Sequence, residues 1–501
     1  MQILVAEQVR AWDEFTIQHE PVTSVDLMER AASAFYNWLL LHGYRGRSFT
    51  VFCGKGNNGG DGLVIARLLA LSGHIVTVNI LEFGHKGTGD FQVNLARLHE
   101  TSVTIRFIST EENLHPLVPG EIAIDALLGT GLNRPAEGLT AAVIQHINQS
   151  GCEVIAVDIP SGLYTDKSSR GNTVVRATHT VSFQCYKLAF LLPENAANTG
   201  NLHILPIGLH PDFINTLHMP YEMTDQPLIR SILRPRNRFA HKGNYGHAAL
   251  IAGSKGMMGA AILSAKACLR SGTGKLTCHI PSVGYIILQS TVPEAMCHTA
   301  ATNVEYLQTL PALTSYNAVG IGPGLGQYNT HAVLLEKVFT ETSNLVIDAD
   351  ALNVLSVNKD LLQHLPAGTI LTPHVREFER LFGPATNDFE KLTLAQQQAA
   401  ALNIVIVLKG HYTAIITPGG KTWFNSTGNA GMATGGSGDV LTGIITGLLA
   451  QGYVAEQAAI AGVFLHGLAG DLAATALSQE AMIASDITDY LGKAFLQVMT
   501  A

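Results

Sequence analysis

Residues 48–71 read Ser48-Phe-Thr-Val-Phe-Cys53, then Gly54-Lys55-Gly56-Asn57-Asn58-Gly59-Gly60-Asp61-Gly62, then Leu63-Val-Ile-Ala-Arg-Leu-Leu-Ala-Leu71. A short apolar, β-rich run stops at glycines, and an amphipathic helical pattern follows over 63–71, so the stretch reads as strand, phosphate-type loop and helix. Gly54, Gly56 and Gly59 satisfy GxGxxG, whose glycines let the backbone approach a pyrophosphate at a helix N-terminus. A tight strand-to-helix turn would use the same glycines. What sets this loop apart is Asn57-Asn58-Gly59-Gly60-Asp61: plain dinucleotide loops take small apolar residues there, whereas two amides and a carboxylate offer hydrogen bonds and ligands to a polar substrate. Further short runs at 74–81, 102–108, 121–127, 153–157 and 178–183 alternate with helical stretches, the pattern of a Rossmann-like, doubly wound α/β sheet.

Beyond Ile207 the alternation breaks at Pro211, Pro220 and Pro227, and a second series of strands is expected at 247–252, 275–280, 318–321, 344–347, 369–371 and 404–408. The last hundred or so residues turn strongly helical. The expected organisation is a first domain over 1–213, a linker over 214–226 and a second, larger α/β domain over 227–501, with no visible repeat between them.

The chain has 501 residues, 47% hydrophobic and 14% charged, with 49 glycines, which suits large cores joined by tight turns and excludes a disordered or coiled-coil chain. A net charge of −8 argues against a nucleic-acid partner. The six cysteines form no CxxC pair, so neither a zinc site nor a disulfide framework is indicated. Glu7, Arg10, Asp13 and Glu14 interrupt the apolar run that a signal peptide needs. No segment has the roughly 18 consecutive apolar residues of a membrane helix, and a cytoplasmic protein without a membrane partner is expected. HExxH, GxxxxGK[ST] and GxSxG are absent, which removes the signatures of zinc proteases, P-loop enzymes and α/β-hydrolases.

Ligands in doubly wound sheets sit beyond the carboxyl ends of the strands. Asp125 ends one expected strand ahead of Gly129-Thr130-Gly131-Leu132-Asn133-Arg134-Pro135, and Asp158 ends another ahead of Ile159-Pro160-Ser161. Either aspartate alone could serve as a turn cap; with the glycine loop they place carboxylates on one rim, and Asp158 is the candidate for general acid/base work. Near the other end, Asn429-Ala-Gly431-Met-Ala-Thr434-Gly435-Gly436-Ser437-Gly438-Asp439 runs into a helix expected over 440–449. Glycine N–H groups at a helix start form an anion hole, and a carboxylate beside it can take a proton from a substrate hydroxyl, the pairing that phosphoryl transfer requires. A helix cap would use Ser437 or Asp439 but has no need of three glycines.

The strings Gly-Asn-Asn-Gly-Gly-Asp-Gly at 56–62, Asp-Ala-Leu-Leu-Gly-Thr-Gly at 125–131 and Val-Asp-Ile-Pro-Ser-Gly at 157–162 resemble the NAD(P)H-hydrate epimerase domain over about the first 210 residues. The resemblance implies that Asn57, Asn58, Gly59, Gly60 and Asp61, with Gly129, Thr130, Gly131, Leu132, Asn133, Arg134 and Pro135, contact the hydrated dinucleotide, that Asp158 lies at the substrate, and that Asn58, Asp125 and Ser161 ligate K+. The later glycine-aspartate string resembles the ribokinase superfamily. Together with His241-Lys242-Gly243, Gly253-Ser254-Lys255-Gly256, Gly322-Pro-Gly324-Leu-Gly326, Asp348-Ala-Asp350, Thr372-Pro373-His374 and Lys409-Gly410 it is similar to the ADP- or ATP-dependent NAD(P)H-hydrate dehydratases.

That second resemblance implies a ribokinase-like domain with Asp439 as catalytic base, Gly435, Gly436, Ser437 and Gly438 as anion hole, and Lys409, Gly410, His411, Tyr412 and Thr413 at the nucleotide. It places Ala260, Gly326 and His374 at the hydrated nicotinamide nucleotide, and implies ADP with Mg2+. The joint implication is repair of hydrated nicotinamide cofactors: epimerisation of NADHX and NADPHX, then dehydration of the S epimer at the expense of ADP. A homo-oligomer is expected. Val375-Arg376 stand where Pro-Gly is usual in the family, and His411-Tyr412 where smaller residues are common. The main alternative is a ribokinase-like kinase of a vitamin or sugar alcohol with an N-terminal nucleotide-binding regulatory domain; a dehydrogenase is a third reading.

Overall fold

The computed structural model describes residues 2–217, 219–299 and 304–500. The chain divides into two compact units that part between Met219 and Pro220. The first is built on β1 (Phe49–Cys53), β2 (Val76–Leu81), β3 (Thr104–Ile108), β4 (Ile122–Ala126), β5 (Glu153–Val157), β6 (His179–Phe183) and β7 (Asn201–Leu205). They form one parallel sheet in the order β3-β2-β1-β4-β5-β6-β7. All five residues of β1 and of β4 are buried, because each has neighbours on both sides and cores on both faces. The order reverses between β1 and β4, the switch point at which such sheets bind ligands.

The glycine loop belongs mostly to the helix Asn57–Leu71, which begins six residues earlier than the pattern over 63–71 suggested. Its glycines are spent partly on packing. A Cβ on Gly59 would lie 1.8 Å from the Gly54 carbonyl oxygen, so only glycine lets the first turn sit down on the strand end.

The second unit holds β8 (Tyr221–Met223), β9 (His247–Ile251), β10 (Lys275–Ile280), β11 (Met296–Thr299), β12 (Ala318–Ile321), β13 (Leu345–Ile347), β14 (Ile370–Leu371), β15 (Val405–Leu408), β16 (Ala414–Ile416) and β17 (Thr422–Phe424). Their order is β11-β10-β9-β12-β13-β14-β15-β16-β17-β8, parallel from β11 to β15 and antiparallel through β16 and β17. The segment 214–226, expected as a linker, contains β8, which pairs with β17 and is part of the second sheet. Three paired residues leave too little periodicity to be recognised beside prolines. β7, β11, β16 and β17 were likewise unexpected; they are edge strands or strands of three residues, whose half-exposed or brief runs lack the continuous apolar signal of the inner ones.

The helix Ser437–Ala450 is buried from Val440 onward. It lies backbone to backbone on the helix Met258–Arg270: a Cβ on Gly443 would meet the Ser264 carbonyl at 2.2 Å, and one on Gly447 the Ser271 Oγ at 2.0 Å. This close seat carries Gly438 and Asp439 over the strand ends. The helix Ala455–Leu477 is long and apolar enough to span a membrane by length and composition alone, despite the interruptions at His466 and Asp471 that hid it from a search for unbroken apolar runs. Its central residues are packed in the second core.

Candidate functional site

In the first unit a cavity of about 910 Å³ opens at the β1/β4 switch point. Asn57, Asn58, Asp61, Asp158 and the whole stretch 129–134 line it. Gly59 and Gly60 are buried beneath it and Pro135 stands outside it.

Asp158 follows β5 with a left-handed φ of 63°, a conformation that costs a non-glycine residue of order 1–3 kcal/mol unless the surroundings impose it. Here they do. Its Oδ1 accepts from the Lys187 Nζ at 2.6 Å, the Ser182 Oγ at 3.1 Å and the Phe183 backbone N–H at 3.1 Å. Its Oδ2 accepts nothing from the described residues and is left to the cavity. Lys187 is fully buried and also donates to the Ser182 Oγ at 2.6 Å. Burial alone would depress its ammonium, but the Asp158 carboxylate outweighs that and holds the lysine above its ordinary pKa. Nothing in the local reading singled out Lys187; the available signal was a lone charge inside the apolar run 185–192.

The helix Ala6–His19 adds three further residues that the sequence does not mark as site residues. Arg10, Asp13 and Ile17, spaced along one helical face, line the cavity. Burial, then the Asp158 charge, raises Asp13 to about 7. Asp61 is pushed well above the carboxylate range by burial and by Asp158, Asp13 and Asp90.

Behind the cavity Asp125 is completely buried. Its Oδ2 accepts the Ser161 N–H at 2.7 Å, and its Oδ1 accepts the Ser161 Oγ–H at 2.6 Å and the Leu127 N–H at 3.2 Å. Burial still lifts it to about 6, against the lowering by those hydrogen bonds. Asn58 donates to the Leu128 carbonyl at 3.0 Å, while its buried Oδ1 has no partner. An orphaned amide oxygen, a buried carboxylate and a hydroxyl oxygen form an all-oxygen donor set of the kind that suits a hard cation.

In the second unit Asp348 follows β13, and Lys409 follows β15. The Lys409 Nζ donates to the Asp348 Oδ1 at 2.9 Å, with the Glu377 Oε2 at 4.0 Å, and the Thr442 Oγ1 fills the Asp348 Oδ2 at 2.7 Å. Asp439 sits in the first turn of the helix Ser437–Ala450 without a hydrogen-bond partner among the described residues. Burial, then the Asp348 charge, raises it to about 7, with Lys409 opposing. A Cβ on Gly438 would be 3.3 Å from the Lys409 Nζ, so the ammonium lies against the helix start. Gly436 precedes that helix at φ 94°, with Gly435 exposed before it. The half-buried Ser437 is held from behind, its carbonyl 3.0 Å from the Nε2 of buried His466.

His374 caps the helix Val375–Phe382, its Nδ1 accepting from the Arg376 N–H at 3.1 Å, and it bridges to Lys409 through the backbone. The Gly326 N–H donates to the Asp350 Oδ2 at 2.8 Å, which stations that turn near the same strand ends. Ala260 lies in the first turn of Met258–Arg270, against Gly324. Gly410 begins the β15–β16 hairpin turn that holds His411, Tyr412 and Thr413; the Thr413 Oγ1 donates to the Gly410 carbonyl at 3.0 Å. A separate cavity of about 740 Å³ in this unit is lined by Arg234, Arg236, Arg270 and Tyr453 and by none of these site residues.

Both arrangements have recognisable relatives. The family description "YjeF-related protein N-terminus" matches residues 24–189, and "NAD(P)H-hydrate dehydratase" matches 248–493. The bifunctional NAD(P)H-hydrate repair enzyme Nnr of Moorella thermoacetica is 35% identical over 98% of this chain and 96% of its own length. The enzyme of the same name from Escherichia coli is 31% identical over 96% and 92%. A ribokinase-like superfamily protein from Enterococcus faecalis superposes with a TM-score of 0.50 at 30% identity, over 57% of this chain and 99% of its own. With one relationship spanning both units, this chain belongs to the family of bifunctional NAD(P)H-hydrate repair enzymes.

Proposed function

We propose that the first unit interconverts the R and S epimers of NADHX and NADPHX, and that the second dehydrates the S epimer to NADH or NADPH at the expense of ADP. The observation that carries the second half is Asp439, unpaired beside the Lys409–Asp348 pair at a glycine-flanked helix start. Hydration leaves a hydroxyl on the carbon next to the ring nitrogen, a poor leaving group. Asp439 takes the hydroxyl proton as the oxygen attacks the terminal phosphorus of ADP. The N–H groups of 435–438 and the Lys409 ammonium stabilise the charge on the transferring group. AMP departs with its remaining phosphate; the C–O bond to the new phosphate then breaks with its electron pair leaving on phosphate, the ring-nitrogen lone pair closes a C=N bond, and the neighbouring ring carbon gives up a proton to solvent so that the C=C bond re-forms and nitrogen regains its pair. Mg2+ bound with ADP would supply neutralisation of the polyphosphate. Gly410 with His411, Tyr412 and Thr413 is assigned to the nucleotide, and Ala260, Gly326 and His374 to the hydrated substrate.

In the first unit the stretch 129–134 with Asn57 and Asp61 binds the dinucleotide, and Asp158 works as acid/base through its free Oδ2. K+ held by Asn58, Asp125 and Ser161 would neutralise the buried carboxylate and satisfy the orphaned amide oxygen. A relationship extending over the first unit as well as the kinase-like second favours repair over a vitamin or sugar kinase.

The test is recovery of reduced-nicotinamide absorbance from a mixture of both NADHX epimers, with ADP, with ATP and with neither. Complete, ADP-dependent recovery faster than spontaneous epimerisation is expected. No recovery with either nucleotide would remove the dehydratase reading, and recovery stalling at the S fraction would remove the epimerase one.

A further inference from the structure

Four carboxylates, Asp13, Asp61, Asp90 and Asp158, line one cavity together with Arg10, Lys55, Lys86 and Arg134; Lys55 is paired with Glu82, and the fully buried Lys187 behind the cavity wall is paired with Asp158. Burial and the Asp158 charge both disfavour ionisation of Asp13 and Asp61, so these two hold their protons more tightly than ordinary carboxyls. Asp158 is ion-paired with Lys187 at 2.6 Å through Oδ1 and presents its Oδ2 to the cavity. Asp13 has no hydrogen-bond or ion-pair partner among the described residues and reaches the same space from a different element, the helix Ala6–His19. One ionised and one protonated carboxylate facing a common substrate pocket is the equipment of a two-base inversion.

Resting on the epimerase reading above, we infer that Asp13 is the second catalytic residue of the first unit, the proton donor that works opposite Asp158. In the R-to-S or S-to-R direction, the C–O bond of the hydrated ring breaks with its electron pair going to oxygen. That oxygen takes the Asp13 proton and departs as water, while the ring-nitrogen lone pair closes a C=N bond. Water then adds to the other face: its oxygen forms the new C–O bond, the C=N pair returns to nitrogen, and the Asp158 Oδ2 accepts the released proton. One proton moves from Asp13 to Asp158 per inversion. Turnover of the opposite epimer or exchange with solvent moves it back.

Burial, the Asp158 and Glu14 charges, and the opposing Lys187 charge hold Asp13 near 7, with Asp61 and Cys185 also within its electrostatic reach and Arg10 on the same helix face. A donor must be protonated, so epimerisation falls as pH rises through about 7.

The experiment follows interconversion of purified NADHX epimers by the full chain without ADP, from pH 5.5 to 9 in roughly half-unit steps, in wild type, Asp13→Asn and Asp13→Glu. We expect Asp13→Asn to slow the reaction by about 10²–10⁴-fold, and Asp13→Glu to restore part of the rate with its alkaline fall at a shifted pH. Asp13→Asn within about threefold of wild type, or a slow variant that keeps the wild-type alkaline fall, would overturn the assignment. Wild type no faster than the spontaneous rate would instead overturn the epimerase reading on which it rests.

Discussion

The two units carry the same device with different wiring. Renumbered from its own first parallel strand, the second sheet runs 3-2-1-4-5-6-7 from β11 to β15, the order of the whole first sheet. In each, an aspartate directly after the fifth strand pairs with a lysine that follows a later strand: Asp158 with Lys187, Asp348 with Lys409. In each, a helix brings up another carboxylate, Asp13 or Asp439, which that pair leaves unmatched and burial raises to about 7. The difference is at the aspartate. Thr442 and Lys409 occupy both Asp348 oxygens, so Asp348 can only position its lysine, whereas Asp158 has one oxygen free for chemistry. One carboxylate can therefore act in the second unit, where a base suffices, and two in the first, where a centre must be inverted.

The largest effect that would break this comparison is kinetic. Asp439→Asn should lower ADP-dependent dehydration by about 10²–10⁴-fold while epimerisation continues. Wild-type dehydration should rise as pH increases through about 7 and level off above it, because a base must be ionised, the reverse of the limb expected for the first unit. A pH-independent dehydration rate, or an active Asp439→Asn, would mean that Asp439 is not the base.

Next comes stability. Lys187→Met strands the Asp158 carboxylate and should cost the first unit about 3–5 kcal/mol in denaturant unfolding. Lys409→Met should cost less, because its side chain retains 23% exposure against none for Lys187. Adding Asp158→Asn to Lys187→Met should recover part of the loss; strict additivity would show that the pair is not coupled.

The smallest effect sharpens the analogy. A carboxylate whose pKa is raised on folding binds its proton more tightly in the folded state, so its contribution favours folding less as pH climbs from about 4 to about 7. Asp439→Asn should therefore be more stable than wild type at pH 8 by about 1–2 kcal/mol, discounted for partial exposure, and nearly equal to it near pH 4. A variant less stable than wild type at pH 8 would contradict the electrostatic cost assigned to Asp439.

Much of this was legible residue by residue. The inner strands follow from continuous apolar runs; Asp158 stands out at the end of a strand, and Asp439 at a helix start that follows a glycine run. The edge strands β7, β8 and β11 did not show, since half-exposed runs of three to five residues carry no distinctive period. Asp13 did not show either: on the helix Ala6–His19 it reads as one more charge on a solvated face. Lys187 and Thr442 are ordinary residues until their partners are known.

By itself, then, the sequence determined two α/β units, the glycine-rich helix starts and the strand-end carboxylates, because hydrophobic period and turn chemistry are written in adjacent residues. Which carboxylate each lysine neutralises, which one is left to hold a proton, and that Asp13 faces Asp158 at all were decided only by the tertiary structure. Those properties depend on burial and on the distances between charges from elements far apart in the chain, and no local stretch encodes them.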